Sequence, residues 1–425
     1  MSYFNKRIRP VWLVLPLLAL IVFYARGPRR AMTDSGDFAT VYAASRCWLA
    51  HENPYLEANI DQQYAAGHGD PAHAPDAGLT ASVYLPSIFP LVAMVAWLDW
   101  HTAERAWLLL GLVAFAISLL CVARSELIPN PLTAIVLVTL FLLFSATQTG
   151  IAKGQPSVIC ISLLVAAFYL KQNQREELLA GLFLGISCCI KPNFALPYML
   201  FCCWRRQWRV VVVSVLVPLA VSTVALKNLL GLPPGWWLDW SANVKMASAP
   251  GGNMNPTIAN IGSTFLVNFQ TVVGFFTTNR QICNLITYTL LAGLAIALLV
   301  ITKLKIDKWQ ALAFLTILLL LASYHRYYDV QLLMLCTNAA LQLYRKPQPV
   351  VWAGTAAAVM LWFPLEAMAA NVLPYPTPAA ASFWQFLAFR NQPLCLFVIA
   401  LVFAWALIRN ARPLVESQPE RLASH

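Results

Sequence analysis

The strongest constraint on this chain is a series of apolar stretches. Each is near the roughly 20 residues that an α-helix needs to cross about 30 Å of hydrocarbon. They cover 10–25, 83–98, 104–123, 131–147 and 157–171, then a Pro-interrupted run over 178–204. The series continues with 209–226, 285–302, 309–324, 328–344, 350–366 and 393–409. About twelve passes are expected from that pattern. Charged residues make up 11% of the 425 and hydrophobic ones 59%, with a mean hydropathy of +0.63. Soluble domains carry about 25% charged residues. The expected class is therefore an all-α polytopic membrane protein, with 1–425 as one integral domain.

The net charge of +11 does not point to nucleic acid, because the basic residues fall in short clusters between apolar runs. Lys6, Arg7 and Arg9 form one cluster, and Arg205, Arg206 and Arg209 another. Lys303, Lys305 and Lys308 follow, then Arg345 with Lys346, and Arg409 with Arg412. Cytoplasmic loops hold Lys and Arg in excess. With the N-terminus inside, 26–82, 227–284, the 324–328 turn and 367–392 fall outside, and the tail 410–425 is cytoplasmic. The segment 148–177 fits this least well, since Lys171 and Arg175 are offset by Glu176 and Glu177. Gly150, Gly154 and Pro156 would permit a half-helix or re-entrant piece there. The basic, apolar N-terminus lacks a small-residue cleavage site and is read as an uncleaved first span.

The ten cysteines include Cys188–Cys189 and Cys202–Cys203 within apolar runs and form no CxxC motif, so most read as small apolar fillers. Cys47 and Cys283 are expected on the outer side, and sequence does not pair them.

Polar chemistry gathers in the outer loops. Segment 26–82 holds seven of the eighteen acidic residues and three of the six histidines. In GHGDPAHAPDAG (67–78), His68, His73, Asp70 and Asp76 offer metal-ligand types, but the Gly, Pro and Ala content reads better as a flexible loop. Segment 37–50 has a helical stripe of Phe38, Val41, Tyr42, Ser45, Trp48 and Leu49, suited to a helix along the outer membrane surface. Asp37 begins it. One reading is a charge favoured by the helix dipole; the other is a general base at a cavity mouth.

Lys191, inside an apolar run and before Pro192, either snorkels to the interface or meets an anion. Gln155 and Asn193 are weaker polar candidates. The turn Tyr324–Asp329 holds His325, Arg326 and Asp329. It reads either as an aromatic belt with a local ion pair, or as a phosphate clamp by Arg326 with His325 and Asp329 orienting substrate. Trp236, Trp237 and Trp240 suit sugar stacking or interfacial anchoring. Asn253, Asn255, Asn260 and Ser263 suit sugar hydroxyls or lipid head groups.

In order, SGDFATVYAASRCWLAHENPY, YLPSIFPL (84–91), GQPS (154–157), AGLFLGISCCIKPNFALPYML (180–200) with WRRQW (204–208), and YHRYYDVQLL (324–333) resemble the family 87 glycosyltransferases. These are bacterial membrane proteins that include polyprenol-phosphate-mannose-dependent α-mannosyltransferases. The resemblance covers about 30–345, and departs from it at Ser157, where GQxN is expected. It implies a GT-C-type fold with an outer-face amphipathic helix and loops, in the bacterial inner membrane. It also implies a periplasmic active site, a polyprenyl-phosphate-linked sugar donor (mannose by analogy) and a glycolipid or glycan acceptor. Asp37 matches the catalytic carboxylate, with Asp34 as the substitute. The resemblance also supports a Lys191 contact to lipid phosphate, while His325 is expected to be catalytic because a short turn seldom gathers three ionisable residue types without a task.

A single inverting displacement needs one base and cations for the departing phosphate. No metal or other cofactor is expected, as there is neither DxD nor HExxH. The alternative is a transporter or flippase of a lipid-linked sugar, although no internal repeat is visible. A structural membrane protein would not need Asp37, Lys191 and His325 where they stand.

Overall fold

The computed structural model describes residues 11–69, 81–170, 174–232, 235–302, 306–345, 348–363, 365–376 and 382–410. Among these, every regular element is helical, and an isolated bridge joins Leu266 to Arg326. Five helices are long and apolar enough to cross a bilayer: Trp12–Asp34, Trp100–Ala123, Trp208–Leu229, Arg280–Ile301 and Asn391–Arg409. The pair Pro131–Leu143 and Ser145–Ala152, bent by 49°, is a sixth candidate. Shorter apolar helices cover Pro86–Ala96, Pro156–Tyr169, Lys308–Ala322 and Pro349–Met360. The expected span 328–344 is a 3-10 helix, Tyr327–Cys336, that continues as Thr337–Tyr344.

Contacts between these helices overturn two of the expected spans. The first is 83–98. Its helical part, Pro86–Ala96, is about 16 Å long at 1.5 Å per residue, roughly half the hydrocarbon thickness. At one end Tyr55 Oη donates to the Tyr84 carbonyl (3.1 Å). At the other, Tyr42 Oη donates to Leu98 O (2.8 Å) and Arg46 Nη1 to Ala96 O (3.1 Å). Trp100 N then donates to Gly67 O at 2.8 Å. Phe38 stacks on Trp100 and Trp107, while Phe23, near the end of the first helix, stacks on Phe115 further along Trp100–Ala123. Trp100–Ala123 therefore begins where the first helix leaves and runs antiparallel to it. The chain from 36 to 99 departs from that end and returns to it. Hydropathy registers that 83–98 is apolar; it does not register that both its ends are tied to one end of the protein, with Ile88, Phe89, Val92 and Ala96 buried and Met94 and Trp97 exposed.

The second is 178–204, which is a hairpin of Gln174–Ile190 and Pro192–Trp204. Phe168 packs on Tyr198 and Phe201, and Glu176, Glu177, Cys202 and Gln207 line one small cleft. Arg209 Nη1 lies 3.5 Å from Glu177 Oε2. The second arm thus comes back to the level where the first began. Trp208–Leu229 then packs parallel to the first arm across Gly181 and Gly185. A Cβ at either glycine would lie 2.7 Å from Val213 or Val217 Cβ, closer than real contacts allow. The difficulty at 148–177 also disappears. Residues 153–155 lie with Asp37, and 174–177 lie at the opposite end with Arg205–Arg209.

The Gly36–Leu49 helix forms where its pattern places it, but it is enclosed rather than laid on a surface. Phe38, Ala39, Val41, Tyr42, Ala43, Ala44, Ser45, Cys47 and Trp48 are all buried, and Leu49 is exposed. Helices Glu57–Ala66, Pro86–Ala96 and Trp100–Ala123 surround it. Cys47 and Cys283 are both buried free thiols.

Gly154 fixes the approach of this helix to the 153–155 break. Its φ is +65°, and a Cβ would lie 2.7 Å from Phe38 Cβ. Its carbonyl accepts from Trp107 Nε1 at 2.9 Å. Gly154→Ala is expected to destabilise the protein by about 2 kcal/mol or more, from left-handed strain plus overpacking. Thermal unfolding in detergent checks this, with Gly231→Ala, where the nearest neighbour lies 3.6 Å away, as the unaffected control.

Candidate active site

At the end to which 36–99 returns lies a cavity of about 640 Å³. Its walls come from breaks between helices, where the backbone cannot continue regular hydrogen bonding and side chains point inward. Asp37 is in the first turn of Gly36–Leu49. Gln155 is extended (φ −65°, ψ 126°) before Pro156. Lys191 is the apex of the hairpin, with φ −142° and ψ 88°. The following Pro192 excludes the helical region for it. Arg326 is extended (φ −96°, ψ 167°), held by the bridge to Leu266 and by its own N–H donating to Asp329 Oδ2 at 3.1 Å. Asn193, Tyr84 and Tyr328 complete the inner wall, and Glu57 and the 251–254 turn contribute further lining.

A chain of polar contacts joins these groups. Gln155 Nε2 donates to Asp37 Oδ2 (2.5 Å) and to Tyr328 Oη (2.8 Å). Ser157 Oγ donates to Gln155 Oε1 (3.4 Å) and accepts from Lys191 Nζ (2.5 Å). Lys191 Nζ lies 3.6 Å from Asp329 Oδ1, and also over the rings of Phe194 and Tyr328. Asp329 Oδ2 lies 3.4 Å from His325 Nδ1, whose ring bonds Ser323 Oγ through Nε2 at 2.8 Å. Arg326 Nε donates to Tyr324 Oη at 2.8 Å. Among the described residues Arg326 makes no ion pair, which leaves its guanidinium edge to the cavity. Burial, reinforced by the carboxylates of Asp37 and Asp329, holds the Tyr84 phenol well above its ordinary range, so it stays neutral and can donate.

The cavity therefore brings together Asp37, Gln155, Lys191, Asn193 and Arg326. His325 and Asp329 are not on its surface. They are 0% and 1% exposed and stand behind Lys191 and Arg326. His325 packs on Phe194, with ring centroids 4.6 Å apart. Asp34 ends the Pro28–Asp34 helix and pairs instead with Lys153 (2.5 Å) and Arg30 (3.1 Å). None of Trp236, Trp237 and Trp240 lines the cavity. Trp236 stacks on Tyr55, Trp240 Nε1 donates to Val83 O, and Trp237 is exposed. Of the four outer-loop polar residues only Asn253 reaches the cavity. Asn255 and Asn260 bond within their own loop, and Ser263 Oγ accepts from buried Arg390. His68 is described, whereas Asp70, His73 and Asp76 of the same segment lie outside the described residues.

Sequence reasoning did not single out Tyr328, Tyr84, Asn243 or Glu57, all of which line the cavity. Tyr328 had a signal in its place beside Arg326. Glu57 and Asn243 had none, since an exposed carboxylate and an Asn in a surface-like helix look ordinary. The arrangement as a whole sets two carboxylates, Asp37 and Glu57, and two cations, Lys191 and Arg326, around a space large enough for a sugar.

A family model described as Glycosyltransferase family 87 matches residues 83–325, more than half of the 425-residue chain. The interval includes Gln155, Lys191 and Asn193; Asp37 precedes it and Arg326 follows it. Two crystal structures of ArnT from Cupriavidus metallidurans are similar at 12% identity. The one bound to undecaprenyl phosphate covers 95% of this chain and 78% of that one, with a TM-score of 0.44. The apo structure covers 95% and 77%, with a TM-score of 0.39. No curated protein matches significantly.

Proposed function

The chain belongs to glycosyltransferase family 87, and from that we propose that it moves a sugar from a polyprenyl-phosphate donor to a hydroxyl of a glycolipid or glycan. Mannose is the sugar the resemblance favours, and the fold is of GT-C type. The observation that carries this reading is the meeting of Asp37 with Lys191 and Arg326 in one cavity. Asp37 takes the proton of the attacking hydroxyl as the new bond forms at the anomeric carbon. Lys191 and Arg326 face the phosphate as negative charge grows on it, and the phosphate departs as an anion without a protein acid. The displacement is direct, so the anomeric configuration inverts. Gln155 orients the Asp37 carboxylate, and Asn193 and Asn253 face sugar hydroxyls. His325 acts through Asp329 rather than on the substrate, and Trp236 shapes the wall through Tyr55.

The end opposite the cavity carries Arg175, Arg205, Arg206, Arg209 and Arg345. That distribution supports cytoplasmic termini, including the tail 410–425, and a cavity on the non-cytoplasmic face of a bacterial inner membrane.

The test uses the full chain in nanodiscs with labelled polyprenyl-phosphate-mannose or -glucose and a membrane glycolipid extract. Label is expected in glycolipid from the mannose donor at least about tenfold faster than from glucose, the discrimination a hydrogen-bonding sugar site supplies. The product linkage should have the anomeric configuration opposite to that of the donor by NMR. Label that stays on the donor while that lipid crosses a bilayer unchanged would sink the transferase reading in favour of a flippase. Retained configuration would sink the direct displacement.

A further inference from the structure

The resemblance leads one to expect Asn at position 157, and the structure shows what the serine there does. Ser157 is fully buried at the start of Pro156–Tyr169, one residue after the proline that fixes the first turn. Its hydroxyl accepts from Lys191 Nζ at 2.5 Å, and its one proton lies between the Asp329 carboxylate and Gln155 Oε1, the latter a long contact of 3.4 Å. Gln155 in turn spends its amide N–H groups on Asp37 and Tyr328. A single hydroxyl thus lies between the group that aims the carboxylate and the ammonium that faces the phosphate.

We infer that Ser157 is a positioning residue that holds Lys191 toward the phosphate, through one short hydrogen bond, with a longer contact to Gln155 on the Asp37 side. This rests on the transfer reaction proposed above. An ammonium has three protons. Ser157 takes one, Asp329 Oδ1 draws a second from 3.6 Å, and the third is left for an anion in the cavity. Without the hydroxyl, Lys191 swings toward Asp329, the only carboxylate with which it pairs among the described residues, and turns from the phosphate. Gln155 Oε1 loses its long contact in the same step, and the amide is then held by Asp37 and Tyr328 alone.

The test compares Ser157→Ala, which deletes the hydroxyl, with Ser157→Thr, which keeps it. Ser157→Ala is expected to lower kcat/KM for the polyprenyl-phosphate donor about tenfold or more, the effect of one charge-assisted hydrogen bond. The loss should appear in KM for the donor and in kcat, with KM for the acceptor unchanged. Ser157→Thr should recover to within about threefold. Independently of turnover, the rate of amine labelling at Lys191, read by peptide mass spectrometry, should change in Ser157→Ala and not in Ser157→Thr. Equal impairment of both variants would mean packing alone and would overturn the inference, as would an unchanged Lys191 labelling rate in Ser157→Ala. If wild type transfers from no polyprenyl-phosphate donor, the reaction proposed above fails, and the labelling comparison still decides whether Ser157 holds Lys191.

Discussion

Asp37→Asn is expected to reduce sugar transfer by about a thousandfold, within the range general-base removal produces. The substitution keeps the size of the side chain, and an amide oxygen still accepts from Gln155 Nε2, so the hydrogen bond now at 2.5 Å survives. What disappears is a site for the acceptor proton. The thermal midpoint should therefore stay near that of wild type, and binding of the proposed polyprenyl-phosphate donor should be retained. Asp34→Asn is the paired control. Asp34 is 30% exposed and its Lys153 partner 42%, and solvent-screened pairs of this kind contribute about 0–1 kcal/mol. Its turnover should stay within about threefold of wild type on the same argument. If Asp34→Asn is the inactive variant and Asp37→Asn turns over normally, the cavity has been assigned to the wrong carboxylate.

Lys191→Met is expected to cost both activity and stability, for separable reasons. Activity falls because the departing phosphate loses a cation placed where charge develops, an effect of about a hundredfold or more. Stability falls because Asp329, 1% exposed, is left without the ammonium 3.6 Å from its Oδ1. Breaking one side of a buried pair costs about 3–5 kcal/mol. The double variant Lys191→Met with Asp329→Asn removes the stranded charge. Its thermal midpoint should recover most of the loss while transfer stays low. Recovery of transfer together with stability would show that Lys191 serves the fold alone, and the phosphate would then rest on Arg326.

Both predictions use residues that are legible in the amino-acid sequence. Asp37 and Lys191 stand out because a charge beside or within an apolar run is costly to desolvate, so its presence marks a partner or a task. The same cost makes Tyr324–Asp329 visible as a unit. It does not say which member faces the substrate. His325 and Asp329 are the most buried of that turn, and Tyr324, Arg326 and Tyr328 are the ones that reach the cavity. A turn of six residues exposes its members according to the helices that pack on it, which neighbours in sequence do not reveal. The tryptophans at 236–240 illustrate the same limit. Their rings suit a sugar or an interface equally, and Tyr55 and the Val83 carbonyl decided two of them.

The sequence by itself determined that the chain is helical and built into a membrane, because apolar length is a local property that hydrocarbon thickness reads directly. It also marked the breaks at Gly154–Pro156 and Lys191–Pro192, since proline and glycine act on their own backbone. Only the tertiary structure decided that 83–98 stays at one end and that 178–204 doubles back. Whether an apolar helix crosses depends on where its two ends are anchored, and those anchors are Tyr42, Tyr55 and Gly67 for the one, Phe168 and Glu177 for the other. The link from Asp37 through Gln155 and Ser157 to Lys191 was likewise undecided until folding. Its members come from three breaks distant in sequence, and a hydrogen bond is specified by position in space.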